Sequence, residues 1–420
     1  MLHIRRRKRI AWIGSPSSGG GVGGMCRIIL RELAKEDISL DIYSDCDASE
    51  LSELRAALMQ TNVRLYKYTY NWEWNSWYGR RKQVAFLASF IKRLRCYRRL
   101  VSGLIANHRR DAYDAVIQFS QGELFQLGRY RNEIPIILFP CVHAAGELHW
   151  CRREEHLARR CESYLWRHFR FAYLRYRSSL QNRDYRRATG VIGMSRRFIE
   201  CVKKDYGVPS ENTGVVYQPM DFHDHSPAAQ AGSRPIRLLF VGRISVRKGV
   251  DLLLEAIPRV LQRHPDVEVV IVGGGSLWSS YEPLLDELPK ERCRWLRALP
   301  SSDVIAQMQN ADVLLVPSYY EPGGIVVAEA LACGVTIVAS DEVGSAENLR
   351  LPVCHHFKSG HAAEFESAID AALDEVRKRG PELRNVAHDV AVEQFASEKI
   401  ARQLLSEVER LVRYGLAMRS

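Results

Sequence analysis

Long hydrophobic runs are missing from this sequence. No apolar stretch approaches the ~18 residues that a membrane-crossing helix needs. The run Ile10–Ile13 behind the basic cluster Arg5–Arg9 is too brief for the apolar region of a signal peptide. It reads as a first buried strand, and the chain as a cytoplasmic protein. The ten cysteines include no C-x-x-C pair, which excludes the common zinc and thioredoxin-like patterns. Cys141, Cys151 and Cys161 match no metal-ligand spacing, so reduced, mostly buried thiols are expected. No internal repeat or low-complexity tract is evident, and no Ser/His/Asp or Cys/His order marks a nucleophile set. Acidic residues are scarce in one half. Residues 1–220 hold 38 Lys and Arg against 21 Asp and Glu, whereas residues 221–420 hold 22 against 28. Such asymmetry points to an anionic partner for the first half.

What is present is a steady alternation of short apolar runs and helical patterns. The runs are Ile10–Gly14, Ile38–Tyr43, Tyr113–Phe119, Ile134–Phe139 and Gly190–Met194, then Ile236–Val241, Val267–Val272, Asp312–Val316 and Val335–Ala339. This is the pattern of α/β folds with parallel sheets. A Pro-, Ala-, Gly-, Ser- and His-rich stretch, Asp221–Pro235, reads as a linker. The expected architecture is two doubly wound domains with a cleft between them: residues 1–218, residues 219–396, and a terminal helix over 397–420. Ligands in such folds collect at the carboxyl ends of strands.

Four segments carry chemistry at such positions. In PSYYEPGGIVVAEALACG (317–334), Glu329 is the only charged residue of Ile325–Cys333. A lone carboxylate in an apolar helix is costly to bury unless something satisfies it. Glu321 lies just before Pro322, Gly323 and Gly324, where backbone N–H groups at a helix start can approach a phosphate. In VGRISVRKG (241–249), Arg243 and Lys248 flank a loop suited to a diphosphate. Ser15–Gly24 is expected to be a long loop ahead of a helix over Met25–Ala34. Its Gly19, Gly21 and Gly24 formally satisfy G-x-G-x-x-G, and Asp41 and Asp45 sit near where a ribose-binding acid belongs in a nicotinamide-dependent oxidoreductase. Four residues separate Gly14 from Gly19, which fits a flexible anion-contacting lip better. His143 follows the fourth run, Ile134–Phe139, and Pro140, where it can meet a substrate hydroxyl or serve as a structural histidine.

Other features look chemical without support. Asp45-Cys46-Asp47, His223-Asp224-His225 and His355-His356 each lack further ligands for a metal. Residues 80–110 mix basic residues (Arg80, Arg81, Lys82, Lys92, Arg93, Arg95, Arg98, Arg99) with apolar ones in the manner of a basic amphipathic helix or helix pair. Arg152–Arg187 adds eleven arginines. These faces can lie on an anionic membrane surface or simply be solvated, since amphipathicity alone does not separate the two. Nucleic acid is not expected as a partner, because no binding motif accompanies the charge.

Taken together, Gly21-Val22-Gly23-Gly24, His143, GVIGMS (190–195), FVGRISVRKG (240–249), Gly273-Gly274-Gly275 and the E-x7-E within Ala311–Ser340 occur in an order that resembles the retaining, family-4-like glycosyltransferases of the GT-B fold (glycosyl transferases group 1). The resemblance implies two Rossmann-like domains facing a central cleft, with the terminal helix crossing back to the first. It implies a UDP- or GDP-sugar donor, no metal or other cofactor, and transfer with retention to a glycan, lipid-linked or other hydroxyl acceptor. Arg243 and Lys248 would hold the diphosphate, Glu329 the ribose, and Glu321 the donor sugar beside the reaction centre. The backbone at Gly323, Gly324 and Ile325 would contact sugar and phosphates. Gly23 and Gly24 would close over the diphosphate, and His143 would contact the sugar. The catalytic set so implied is Glu321, His143, Arg243 and Lys248. Departures are Gly323, where many relatives carry an aromatic residue; Ala144, where an acid is frequent; Arg297-Ala298, near the base pocket in place of a glycine; and Tyr217-Gln218-Pro219, in place of an Asn-Gly turn. The basic first half implies an anionic or membrane-borne acceptor in cell-surface polysaccharide or glycoconjugate synthesis, and peripheral contact with the inner face of a membrane. A GT-B sugar phosphorylase and the oxidoreductase remain as alternatives.

Overall fold

The computed structural model describes residues 7–16, 20–44, 54–68, 82–228, 234–275 and 281–417. Gly19, Arg80, Arg81 and the whole of Asp45-Cys46-Asp47 lie outside the described residues. Contacts divide the chain into two units. One is Met1–Ala145, Ala172–Pro219 and Ser397–Ser420; the other is Gly146–Phe171 and Met220–Ala396.

Among the described residues, the sheet of the first unit has seven parallel strands: β1 (Lys8–Ile13), β2 (Ile38–Ser44), β3 (Val63–Lys67), β4 (Ala115–Ser120), β5 (Ile136–Pro140), β6 (Gly190–Gly193) and β7 (Thr213–Val215). They are ordered β3-β2-β1-β4-β5-β6-β7. Inner strands of such a sheet are covered on both faces and so read as continuous apolar runs. Trp12 of β1 lies opposite Ile42 of β2 and Ile117 of β4, and stacks on Phe119 at 5.1 Å. The final helix, Ser397–Ala417, closes this core with Ile400, Leu404, Val408 and Leu411, all buried.

Two expectations fail here, each for a physical reason. The helix behind β1 starts at Gly20, not Met25, so Gly21, Gly23 and Gly24 belong to its opening turns and form no lip. Glycine disfavours a helix by about 1 kcal/mol per residue. Met25, Cys26, Ile29, Leu30 and Leu33 are buried on one face of this helix, and that packing outweighs the propensity. Asp41 is buried inside β2, where its Oδ2 accepts from the Arg9 guanidinium and the Tyr113 hydroxyl. It is a core ion pair, not a ribose acid, so the oxidoreductase reading loses this carboxylate and the loop at Gly21 and Gly24, while Gly19 and Asp45 lie outside the described residues.

The second unit has a parallel sheet of β8 (Ile236–Val241), β9 (Val267–Val272), β10 (Cys293–Trp295), β11 (Val313–Val316), β12 (Thr336–Ser340) and β13 (Cys354–Phe357). Their order is β10-β9-β8-β11-β12-β13. The chain runs outward in one direction from β8 and in the other from β11. The β8–β11 junction is therefore the topological switch point, where a crevice opens at the carboxyl ends of the strands.

Residues 146–171, assigned to the first domain on sequence, cluster with the second unit. Leu157 and Ala158 enter its core. Arg170, fully buried, reaches Glu154 at 3.4 Å and Glu162 at 3.2 Å. Burial drives the Glu154 carboxyl up to about 7, against the pull of Arg170. The basic stretch also resolves into distinct helices: Lys82–Arg110 is one continuous helix, not a pair.

Candidate active site

The switch point of the second unit is built from three loops. After β8, the segment 242–249 carries Arg243 and Lys248 and turns into the helix Val250–Arg263 at Gly249. That turn requires glycine: φ is +78°, and a Cβ would stand 2.1 Å from the Pro317 carbonyl oxygen. The β8 loop is thereby pressed onto the end of β11. After β11, residues 317–324 lead into the helix Ile325–Ala332. Gly324, at φ +107°, starts it, and a Cβ there would meet Ser345 Oγ at 2.8 Å. After β12, Glu342 and Ser345 brace the second loop. The Glu321 N–H donates to the Glu342 carbonyl at 3.3 Å, and the Ser345 hydroxyl donates to the Gly324 carbonyl at 2.8 Å.

Lys248 and Glu321 meet in this crevice. Lys248 Nζ donates to Glu321 Oε2, and Arg247 Nη1 lies 3.8 Å from the same oxygen. Burial alone would raise the Glu321 pKa, but Lys248 and Arg247 outweigh it and hold the carboxylate below its ordinary value. Burial pulls the Lys248 ammonium down, with Glu321 opposing. Arg243 is exposed at the mouth of the loop.

Glu329 is in a different state. It is partly exposed, and among the described residues its carboxyl has no hydrogen-bond or ion-pair partner. Burial without compensation pushes its pKa up to about 7. The N–H groups of Gly323, Gly324 and Ile325 likewise have no acceptor among the described residues. An unpaired carboxyl, open backbone donors at a helix start and a Lys–Glu pair thus share one strand-end edge. Such a set can accept from hydroxyls and hold phosphate oxygens.

Sequence reading missed the supports. Arg247 donates to the Tyr320 carbonyl at 2.7 Å, and Tyr319 donates through its hydroxyl to Asp251 at 2.7 Å. Trp150 lies against Tyr319 with ring centroids 5.0 Å apart. Arg247 stood inside a segment already singled out and could have been found there. Trp150 carried no sequence signal, since it lies 169 positions from Tyr319.

The remaining predicted residues lie in the first unit. A Cβ at Gly24 would meet nothing nearer than Arg27 Nη2 at 3.8 Å, so packing within the unit does not demand a glycine there. His143 is fully buried. The helix Arg196–Tyr206, capped by the Ser195 hydroxyl and ended by Gly207, encloses it. Asp205 Oδ2 lies 2.7 Å from His143 Nε2, and Phe198 and Tyr206 pack edge-on against the ring. Among the described residues no cluster of His, Cys, Asp and Glu could hold a metal ion.

The switch-point edge coincides with a known family. Residues 221–386 match the model of the glycosyl transferases group 1 family. An uncharacterised glycosyltransferase of Methanocaldococcus jannaschii is 35% identical over 175 residues, which cover 38% of this chain and 44% of that protein. The matches span about a quarter to just over half the length of such curated relatives. In fold, the chain resembles the sucrose-phosphate synthase of Thermosynechococcus elongatus (TM-score 0.69, 17% identity, 97% of this chain and 100% of that one). It also resembles Anabaena HepE, solved with UDP and glucose (TM-score 0.63, 18% identity, 96% of this chain and 100% of that one). The two Rossmann-like units are those of a GT-B fold.

Proposed function

We propose that this protein transfers a sugar from a nucleotide-diphosphate sugar to a hydroxyl acceptor, with retention of anomeric configuration. The observation that carries the reading is Glu329: a carboxyl on the helix that follows β11, raised to about 7 and lacking a partner among the described residues. A ribose diol supplies the donors it lacks. The fold neighbour solved with UDP and glucose supports a nucleotide sugar as donor. Arg243 and Lys248 take the diphosphate, and the open N–H groups at Gly323, Gly324 and Ile325 take phosphate and sugar oxygens. Diphosphate entering beside Lys248 draws the ammonium from Glu321, and the freed carboxylate meets the sugar. The leaving phosphate oxygen takes the acceptor's proton, so the reaction as proposed needs neither a protein base nor a metal. The roles given to Gly23 and Gly24 at the diphosphate and to His143 at the sugar rest on the family pattern alone.

The acceptor is proposed to be anionic or membrane-borne, a lipid-linked or polymeric glycan, on the excess of basic residues in the first half. A role in polysaccharide or glycoconjugate synthesis, in contact with the inner face of a membrane, is proposed on the same ground. Among the described residues no helix is long and apolar enough to cross one. A thermal-shift panel of UDP- and GDP-sugars, followed by hydrolysis of the best donor, tests the donor side. Arg243→Ala is expected to lower that hydrolysis by about 100-fold. If Arg243→Ala and Glu329→Ala both kept full activity, the site assignment would be wrong.

A further inference from the structure

The first unit carries a second recess that the transfer site does not use. The helix Lys82–Arg110, the turn Phe125–Tyr130 and the later part of the helix Tyr164–Tyr185 line a groove of about 330 Å³. Leu94, Phe125 and Leu180 line it with apolar surface, Arg129, Arg183 and Arg187 with guanidinium groups, and no carboxylate is among its lining side chains. Arg183 is held by Asp184 at 2.8 Å. Among the described residues neither Arg129 nor Arg187 has an ion-pair partner, and both are exposed.

The surroundings continue the same chemistry. Tyr176, which lines the groove, is 50% exposed, and Ile91, on the same helix face as Leu94, is 51% exposed. Arg95 and Arg98, one turn from Ile91 and Leu94, are exposed as well. Phe125 sits at φ +42°, a backbone state that a bulky residue rarely adopts. Its ring is fixed edge-on to Phe90 and Tyr97, so the groove is a formed one.

Guanidinium forks match phosphate geometry, while an apolar lining matches hydrocarbon. A free phosphate uses only the first of these, and an apolar peptide only the second. We propose that this groove seats the phosphate and first methylenes of an anionic phospholipid, with Ile91 and Tyr176 entering the bilayer surface around it. The inference depends on no step of the sugar transfer.

Co-sedimentation of the full chain with vesicles tests it, using phosphatidylcholine alone and phosphatidylcholine with one quarter phosphatidylglycerol at low salt. Wild type is expected to bind only the anionic vesicles. R129Q/R187Q is expected to lower the partition constant roughly 25-fold, two surface cations' worth. R109Q/R110Q, two exposed arginines at the far end of the same helix, should change it at most a few-fold. Soluble dihexanoyl phosphatidylglycerol should compete with the vesicles where equimolar inorganic phosphate does not. No binding of wild type, equal losses in the two double variants, or equal competition by inorganic phosphate would each overturn the proposal. A thermal melt checks folding, and R187Q alone replaces the double variant if that one fails to fold.

Discussion

Replacing Glu329 by glutamine should make the ligand-free protein more stable and the donor bind more weakly, and both effects should follow pH. The carboxyl titrates near 7 in the folded protein against an ordinary value of 4.5. The folded state therefore favours the protonated form. Its contribution to stability is fully present below about pH 4.5 and is lost as pH rises through 7. At pH 8 the ionised, unpaired carboxylate costs up to about 3 kcal/mol, which Glu329→Gln removes. Donor hydroxyls require the opposite state, since they bond best to the anion. The ionised fraction grows about tenfold between pH 6 and pH 8 for a group titrating near 7. The Kd of UDP-glucose, whose diphosphate does not titrate in that range, should fall by a similar factor. In Glu329→Gln the pH dependence should vanish, and affinity at pH 8 should drop by roughly 10- to 100-fold, the worth of a charge-assisted hydrogen bond. Calorimetric titration at pH 6, 7 and 8 and melting at pH 5 and 8 supply the readouts; GDP-mannose replaces UDP-glucose if the latter does not bind. A wild-type Kd independent of pH, with Glu329→Gln binding equally well, would refute ribose recognition by this residue.

Two further outcomes follow from the same edge. Lys248→Met strands the buried Glu321 carboxylate and should destabilise the second unit by about 3–5 kcal/mol, whereas Lys248→Met with Glu321→Leu should recover most of that stability and remain inactive; denaturant melts paired with donor hydrolysis separate the two effects. Gly324→Ala places a methyl against Ser345 Oγ at a positive φ, and should cost about 1–3 kcal/mol and weaken donor binding, because the N–H groups at the helix start shift; unchanged melting would mean that the loop adapts without strain.

The strands that sequence reading located are the inner ones, and those it passed over are the edges. Val269 and Val270 of β9 and Leu314 and Leu315 of β11 are buried in unbroken apolar runs. β3, β7, β10 and β13 flank their sheets, and each is short or interrupted by polar residues, as in Val63–Lys67 with Arg64 or Cys354–Phe357 with His355 and His356. An edge strand needs no continuous apolar surface, so periodicity does not reveal it. Of the site, Glu321, Lys248 and Glu329 were legible because strand-end loops and a lone charge leave local signals. The helical start at Gly20 was not, because buried Met25, Ile29 and Leu33 override the glycine propensity only once tertiary packing exists. The enclosure of His143 was not legible, because it comes from Phe198, Asp205 and Tyr206, on a helix more than fifty residues downstream.

The chain passes between its two units four times, after Ala145, Phe171, Pro219 and Ala396. The second unit is therefore not a contiguous cassette. A gene fragment beginning near residue 220 would encode the whole six-stranded sheet and the Lys248–Glu321 pair, yet omit Trp150, Leu157 and Arg170. Recombination that exchanged first halves at the linker would bring in a foreign counterpart of residues 146–171 to pack on Tyr319. Support for the loop after β11 is thus inherited with the first half of the chain, and exchanging the first unit alone calls for a junction at each of the four crossings, not one between the halves.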